Sequence, residues 1–148
     1  MPVGMFTELV MAAKMRQETP IEVIQELKAL VGDSEFDFDG RPFRWERVLR
    51  TGSYAFDGDA HSTFRFDDIV QRWILTVRSN HKVYRNEIEM FLDWIAPHVD
   101  PDETGSETGF VGYMRYEEAS EPTLIYMRDG KVRYAMCSGQ EAVETRQD

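Results

Sequence analysis

The fold is decided by one stretch, STFRFDDIVQRWILTVR, which spans residues 62–78. Apolar and polar residues alternate through both halves of this stretch, and a period of two is typical of half-buried strands. The first half places its two phenylalanines on one face, and the second half places Trp73, Leu75 and Val77 together. Because Asp67-Asp68 suits a turn between the halves, the stretch predicts an antiparallel hairpin.

Two helices are predicted, one before this hairpin and one after it. Before it, Thr19-Pro20-Ile21-Glu22 has the pattern of a capping box with proline at the first helical position, and Gly32 ends the helix. After it, apolar residues at helical spacing predict a second helix from about Tyr84 to Ala96, which Pro97 stops.

Alternation predicts further strands along the chain, at residues 6–16, 110–116, 123–127 and 131–136. Residues 43–50 and 53–56 also look extended and count as one strand with a bulge or bend at Gly52-Ser53. The pair Asp129-Gly130 suits a type I′ turn between the last two strands. The resulting order is β-α-β-β-β-α-β-β-β, with mostly hairpin connections. This order indicates an α+β domain in which two main helices pack on one face of a largely antiparallel β-sheet.

A chain of 148 residues fits one globular domain, predicted at residues 1–140, with a frayed tail at residues 141–148. The single cysteine, Cys137, excludes an internal disulfide and a cysteine-rich zinc site. The N-terminal residues lack a basic start followed by an apolar segment, so we expect no signal peptide and no membrane span. The expected location is the cytoplasm of a host cell, and no cofactor is expected.

The formal net charge of −10 is unevenly distributed along the chain. Residues 41–85 hold nine cations and five acids, whereas the remaining residues hold eight cations and twenty-two acids. An acidic protein is repelled by nucleic acid phosphates and attracted to basic surfaces. The composition therefore favours a protein partner with a basic surface. The arginine-rich middle is the one region where this preference could reverse.

Metal sites are weakly supported by two stretches. EFDFDGRPFRWE, residues 35–46, has almost the spacing of a calcium-binding EF-hand loop, but Glu35 is long for the first position and Pro42 lacks an N–H for the eighth. A second candidate set combines two or three carboxylates with an imidazole: Asp57, Asp59, His61 and Asp67. This set underlies an alternative function, a small metal-dependent hydrolase. No catalytic residues are otherwise assigned.

Nucleic acid binding is considered at two places. GFVGYMRY, residues 109–116, is similar to the RNA-recognition octamer, but regular alternation puts Phe110 and Tyr113 on opposite faces, which counts against it. The other alternative is single-stranded nucleic acid binding by arginines beside two tryptophans: Arg47, Arg50, Arg65, Arg72, Arg78, Trp45 and Trp73. The candidate binding residues overall are Trp45, Arg47, Arg50, Trp73, Arg115, Tyr116, Glu117 and Glu118.

Four segments carry a family resemblance: ETP at residues 18–20, RW at 44–45 followed by SYAF at 53–56, VYRNEIEMFLDWIAP at 83–97, and GYMRYEE at 112–118 followed by PTLIY at 122–126. Together they resemble a family of small accessory proteins of tailed phages and prophages. The resemblance spans most of the chain and implies provenance rather than catalytic residues. The leading expectation is therefore a phage-derived acidic accessory protein that binds a basic protein partner. One form of this is an inhibitor of a host nucleic-acid-binding or defence protein; a homodimer is left open.

Overall fold

A computed structural model describes residues 6–35, 47–52, 60–82, 86–100 and 109–136. The strands are β1 (Phe6–Lys14), β2 (Thr63–Asp67), β3 (Arg72–Lys82), β4 (Phe110–Tyr116), β5 (Thr123–Arg128) and β6 (Lys131–Met136). The helices are α1 (Ile21–Leu30) and α2 (Glu87–Ile95), and a 3-10 helix (Ala96–His98) directly follows α2.

The six strands form one sheet in the order β2-β3-β1-β4-β5-β6, and every neighbouring pair is antiparallel. This architecture confirms the predicted α+β class. The predicted hairpin is confirmed as well, since β2 pairs with β3 from Thr63–Thr76 to Asp67–Arg72. The final hairpin has positive φ at both Asp129 and Gly130, which is the geometry of a type I′ turn.

The predicted strand at residues 43–50 is wrong for the part that the structure describes. Residues 47–50 form a helical turn, in which Arg47 O accepts hydrogen bonds from the amides of Arg50 and Thr51. Val48 and Leu49 are adjacent, yet both are buried in the core. A turn can bury consecutive residues, whereas a strand would send one of them to the opposite face. The predicted strand at 53–56 lies outside the described residues.

The predicted capping box of α1 does not form. Pro20 is the N-cap without a side-chain bond, and Thr19 Oγ1 instead donates to Arg16 O at 2.6 Å. Helix α1 ends as predicted at Gly32, which has φ +95° and whose amide donates to Ala29 O at 2.9 Å. Glycine adopts this left-handed conformation without the steric cost of a Cβ.

The end of α2 is held against the sheet through backbone bonds to β1. The Arg16 amide donates to His98 O at 2.7 Å, and the Asp100 amide donates to Lys14 O at 2.9 Å. Between them, Met15 and Val99 form an isolated antiparallel bridge. The segment after α2 therefore continues the pairing of β1 beyond its last residue.

Buried side chains of both helices and of the sheet join in one hydrophobic core, whose largest members include Leu9, Met15, Leu27, Leu75, Phe91 and Ile95. Burying such side chains supplies about 1.5–3 kcal/mol each before the cost of ordering them. Within the described ranges, neither α1 nor α2 is long and apolar enough to cross a membrane.

Candidate functional site

The strands present alternate residues to the core and to the opposite side of the sheet, which we call the outer face. On β1, Leu9, Met11 and Ala13 are buried, whereas Ala12 between them is exposed. Thr76, the partner of Ala12 on β3, is exposed too. The centre of the outer face is therefore open to solvent.

Cations are concentrated on the outer face. Nine Lys and Arg residues of the described strands occupy outer-face positions: Lys14, Arg65, Arg72, Arg78, Lys82, Arg115, Arg128, Lys131 and Arg133. The other described residues together carry four cations and fourteen acids. Charge in the described part of the chain is thus segregated by surface, although the sequence presents it only as a basic middle segment.

Two carboxylates of the described strands share the outer face, and each lies beside one of its arginines. Glu8 Oε1 is 3.3 Å from both Nε and Nη2 of Arg115, its cross-strand partner. Asp67 Oδ2 is 3.8 Å from Arg65 Nη1. Both acids are at least half-buried, while Arg65 and Arg115 are exposed. The two arginines therefore stay in contact with solvent although each has an acidic neighbour.

Asp67 also closes the turn between β2 and β3. Its Oδ1 accepts hydrogen bonds from the amides of Val70 at 3.1 Å and Ile69 at 2.8 Å. The Val70 amide, followed by that of Ile69, holds the pKa of the Asp67 carboxyl below its usual value. The Asp67 carboxylate therefore stabilises the turn of the hairpin.

A β-bulge brings two aromatic residues of β4 onto the outer face. The register with β5 shifts between Phe110, which lies opposite Tyr126, and Gly112, which lies opposite Ile125. Tyr113 then lies opposite Leu124, and since residues 124 and 126 share a face, Phe110 and Tyr113 share it too. The expectation that Phe110 and Tyr113 point to opposite faces is wrong. Regular alternation does not account for the extra residue of the bulge.

Between these aromatic residues and β3 runs an apolar groove of about 540 Å³. This volume lies within the range of about 300–1,000 Å³ that is usual for small-molecule sites. The strand order places β1 at its floor, β3 on one side and β4 on the other. The lining includes Val10 and Ala12 at the floor, Thr76, Arg78 and His61 on the first side, and Phe110 and Tyr113 on the second.

The predicted arginine–tryptophan site is divided by the sheet. Arg65, Arg72 and Arg78 are on the outer face, but Trp73 alternates with them and points to the other side. There it stacks on Phe64 with ring centroids 4.8 Å apart, and Lys28 Nζ lies 4.8 Å from the Trp73 ring centroid. The prediction that Trp73 works beside these arginines is wrong, because residues adjacent in a strand face opposite ways.

Arg47 and Arg50 are also away from the outer face. Both are exposed in the helical turn at 47–50, where the Arg50 side chain lies close to Gly32 at the end of α1. The turn is fastened to the core side of the sheet by a hydrogen bond from Ser79 Oγ to Val48 O. Trp45 lies outside the described residues.

The predicted patch at residues 115–118 is spread over different environments. Arg115 is on the outer face, while Tyr116 is half-buried opposite Thr7. Glu117 continues the pairing with β1, since its Oε1 accepts from the Phe6 amide at 2.6 Å. Glu118 is exposed beyond the strand.

The proposed metal ligands do not assemble in the described part of the chain. Asp57 and Asp59 lie outside the described residues, whereas His61 lines the groove and Asp67 lies in the hairpin turn. Among the described residues, no three His, Cys, Asp or Glu side chains are grouped closely enough to hold a metal ion. The metal-dependent hydrolase stays a prediction.

The final hairpin contributes outer-face residues that sequence reasoning missed: Leu124, Tyr126, Arg128, Lys131 and Arg133. Alternation in TLIYMR and KVRYAM does group these side chains, and this signal could have identified them. What alternation cannot reveal is that β5 lies next to β4, so that Tyr126 meets Phe110.

No protein-family model matches the sequence, and no curated protein or solved structure matches the chain.

Proposed function

We propose that this protein binds single-stranded nucleic acid on the outer face of its sheet. The observation that supports the proposal is the charge segregation, since the described strands place nine cations and two carboxylates on this face. Cations that neutralise phosphates release condensed counterions, and this release drives much of the affinity. The net charge of −10 does not oppose binding strongly, because charges further away than about 8 Å are largely screened at physiological ionic strength.

Aromatic residues among these cations favour a single strand over a duplex. Phe110, Tyr113 and Tyr126 lie on the outer face of the adjacent strands β4 and β5. Unstacked bases stack on such rings, and each stacked base contributes about 1–3 kcal/mol to binding. The bases of a duplex are already stacked on each other and are not accessible to rings on a sheet.

The test is fluorescence anisotropy with labelled single-stranded and duplex oligonucleotides. Between about 50 and 200 mM salt, we expect affinity for the single strand to fall about 100-fold if five phosphates are contacted. Arg133→Glu should weaken binding and reduce the salt dependence, because Arg133 is exposed on the outer face.

Arg47→Glu is the matched control, since it makes the same charge change at an exposed residue away from the outer face. Its binding should stay close to that of the unmodified protein. Equal losses in the two variants, or affinity for the duplex equal to that for the single strand, would contradict the proposal.

A second candidate is supported by the remaining charges of the described residues, four cations and fourteen acids. Here the protein is a phage or prophage accessory protein whose acidic surface docks on a basic protein. A host nucleic-acid-binding or defence protein is the partner class, because such proteins present basic surfaces to phosphates.

Affinity capture from a bacterial host lysate at low salt tests this second candidate. We expect a basic protein to be recovered in stoichiometric amount, and Glu118→Lys to reduce recovery because Glu118 is exposed. Recovery of no stoichiometric protein would remove the support for this candidate.

A further inference from the structure

We infer that the groove between β3 and β4 holds one unstacked nucleobase of the bound strand. This inference rests on the proposed nucleic acid binding and names the part of the ligand that the groove takes. The groove lies in the middle of the basic outer face, so a base can enter it while the neighbouring phosphates stay among the cations.

The width of the groove fits a flat ring. Arg78, Val10 and Tyr113 lie in one row across three adjacent strands, with Val10 in the middle. Two strand spacings of about 4.8 Å separate the Cα atoms of Arg78 and Tyr113 by roughly 9–10 Å. A ring that stands on Val10 would therefore have the guanidinium group on one side and the Tyr113 ring on the other.

The lining chemistry selects an aromatic ligand with an anionic attachment. Phe110 and Tyr113 offer ring surfaces, and an arginine plane is a second kind of surface on which bases stack. The floor is apolar, and Ala12 leaves room above it because its side chain is only a methyl group. Thr76 and His61 add hydrogen-bonding groups at the side of Arg78.

Electrostatics distinguishes a base of a strand from an uncharged apolar ligand. Arg78 lines the groove, Arg115 lies on the outer face of β4 beyond the lining residues, and Arg65 lies on the outer face of β2, next to β3. An uncharged ligand would gain nothing from these cations, whereas a nucleotide would place its base on the apolar floor and its phosphates beside them. Charge complementarity thus identifies the occupant.

The experiment compares oligothymidylate with an oligomer of the same length that carries the phosphates but no bases. Both are titrated into the unmodified protein, into Ala12→Phe, which fills the groove, and into Ala135→Phe. Ala135 is the matched control, because it lies on the outer face of β6 and does not line the groove.

We expect the unmodified protein to bind oligothymidylate at least about tenfold more tightly than the abasic oligomer. Ala12→Phe should lower affinity for oligothymidylate at least about fivefold, with unchanged affinity for the abasic oligomer and an unchanged salt dependence. Ala135→Phe should lose no affinity for oligothymidylate, because it adds a ring to the outer face without filling the groove. Circular dichroism and the urea midpoint establish that both variants are folded.

A second measurement does not depend on a variant. Thymidine monophosphate is titrated into the unmodified protein while the methyl NMR signals of Val10 and Ala12 are followed. These two signals should shift in a saturable way, whereas the methyl signal of Ala135 should not.

The failures of the two proposals are distinguishable. If neither oligomer binds at low salt, the proposed function fails, and the inference fails with it. If both oligomers bind equally, or Ala12→Phe binds oligothymidylate normally, nucleic acid binding stands and the inference is overturned. The inference is also overturned if laurate shifts the Val10 and Ala12 methyl signals and thymidine monophosphate does not.

Discussion

Phe110 lies opposite Tyr126 across β4 and β5, and the two rings meet edge to face with their centroids 5.5 Å apart. Phe110 is 42% exposed, so this contact leaves part of its side chain open to solvent. Tyr126 fixes the orientation of a ring that lines the groove. The pair joins the aromatic part of the outer face to the basic hairpin formed by β5 and β6.

The coupling between these two rings is measurable in a double-mutant cycle. Phe110→Ala, Tyr126→Ala and the double variant should reveal an interaction of about 0.5–1.5 kcal/mol, the usual worth of an aromatic pair. Urea unfolding of the unmodified protein and of the three variants supplies the four free energies of unfolding. Strict additivity of the two single changes would show that the contact contributes nothing to stability.

Gly112→Ala should destabilise the protein by about 1–3 kcal/mol or more, since an added Cβ has no room. It would lie 2.6 Å from Met11 Cα and also against Val10 O, both on the neighbouring strand β1. The free energy of unfolding in urea measures the effect. Gly130→Asn is the control. A Cβ added at Gly130 would have its nearest neighbouring atom 3.6 Å away, and Asn tolerates positive φ. Equal costs in the two variants would refute the explanation.

Arg115→Met should cost about 1–3 kcal/mol, because it leaves the Glu8 carboxylate without its arginine partner. Glu8 is 4% exposed, so water replaces the lost contact only in part. Arg133→Met, at an exposed outer-face position, should change stability by less than about 0.5 kcal/mol. If Glu8→Gln restores none of the loss in the Arg115→Met background, the ion pair is not its cause.

Asp67 should make stability depend on pH below about 4. Its pKa is lowered in the folded state by the amides of Val70 and Ile69, so the unfolded chain binds the proton more readily. The contribution is therefore present above the usual pKa of 3.8 and is lost as the pH falls through the folded-state pKa. Asp67→Ala should lower the melting temperature more at pH 7 than at about pH 3. Asp68→Ala, at the neighbouring exposed residue, should cost less at pH 7.

His98 should make stability fall as the solution becomes mildly acidic. Burial first, and then the charge of Arg16, lower the pKa of the His98 imidazole below 6.5. The unfolded chain therefore takes up the proton first, so stability is full above pH 6.5 and decreases as the pH falls through the folded-state pKa.

An NMR titration of the His98 ring checks this prediction, with the urea-denatured chain as the reference. The folded midpoint should lie below the denatured one. Because the imidazole lies edge to face with Trp94, 6.5 Å between centroids, the Trp94 indole signal should follow the same titration. A folded midpoint at or above the denatured one would contradict the expected sign.

Local patterns determine most of the fold. The alternation in STFRFDDIVQRWILTVR predicts β2 and β3, and Asp129-Gly130 predicts the turn of the last hairpin. The amphipathic spacing around Phe91 and Ile95 predicts α2. These features depend on residues that are close in sequence, so the periodicity of apolar residues predicts them.

The predictions fail where another contact, near or distant along the chain, outweighs the expected local pattern. Thr19 follows a capping pattern but bonds back to Arg16, and residues 47–50 form a turn because both Val48 and Leu49 are buried in the core. An unfavourable local propensity costs about 1 kcal/mol per residue. The free energy gained by burying two apolar side chains exceeds that cost.

The sequence by itself determines the α+β class, the hairpins and the excess of acids over cations. Only the tertiary structure decides the outer face: sheet order places β5 beside β4 and β6 beyond β5, and a bulge of one residue turns Phe110 onto the side of Tyr113. The physical reason is that strand order and register depend on backbone hydrogen bonds between distant segments. Those bonds are nearly indifferent to side-chain identity, so periodicity along the chain does not reveal them.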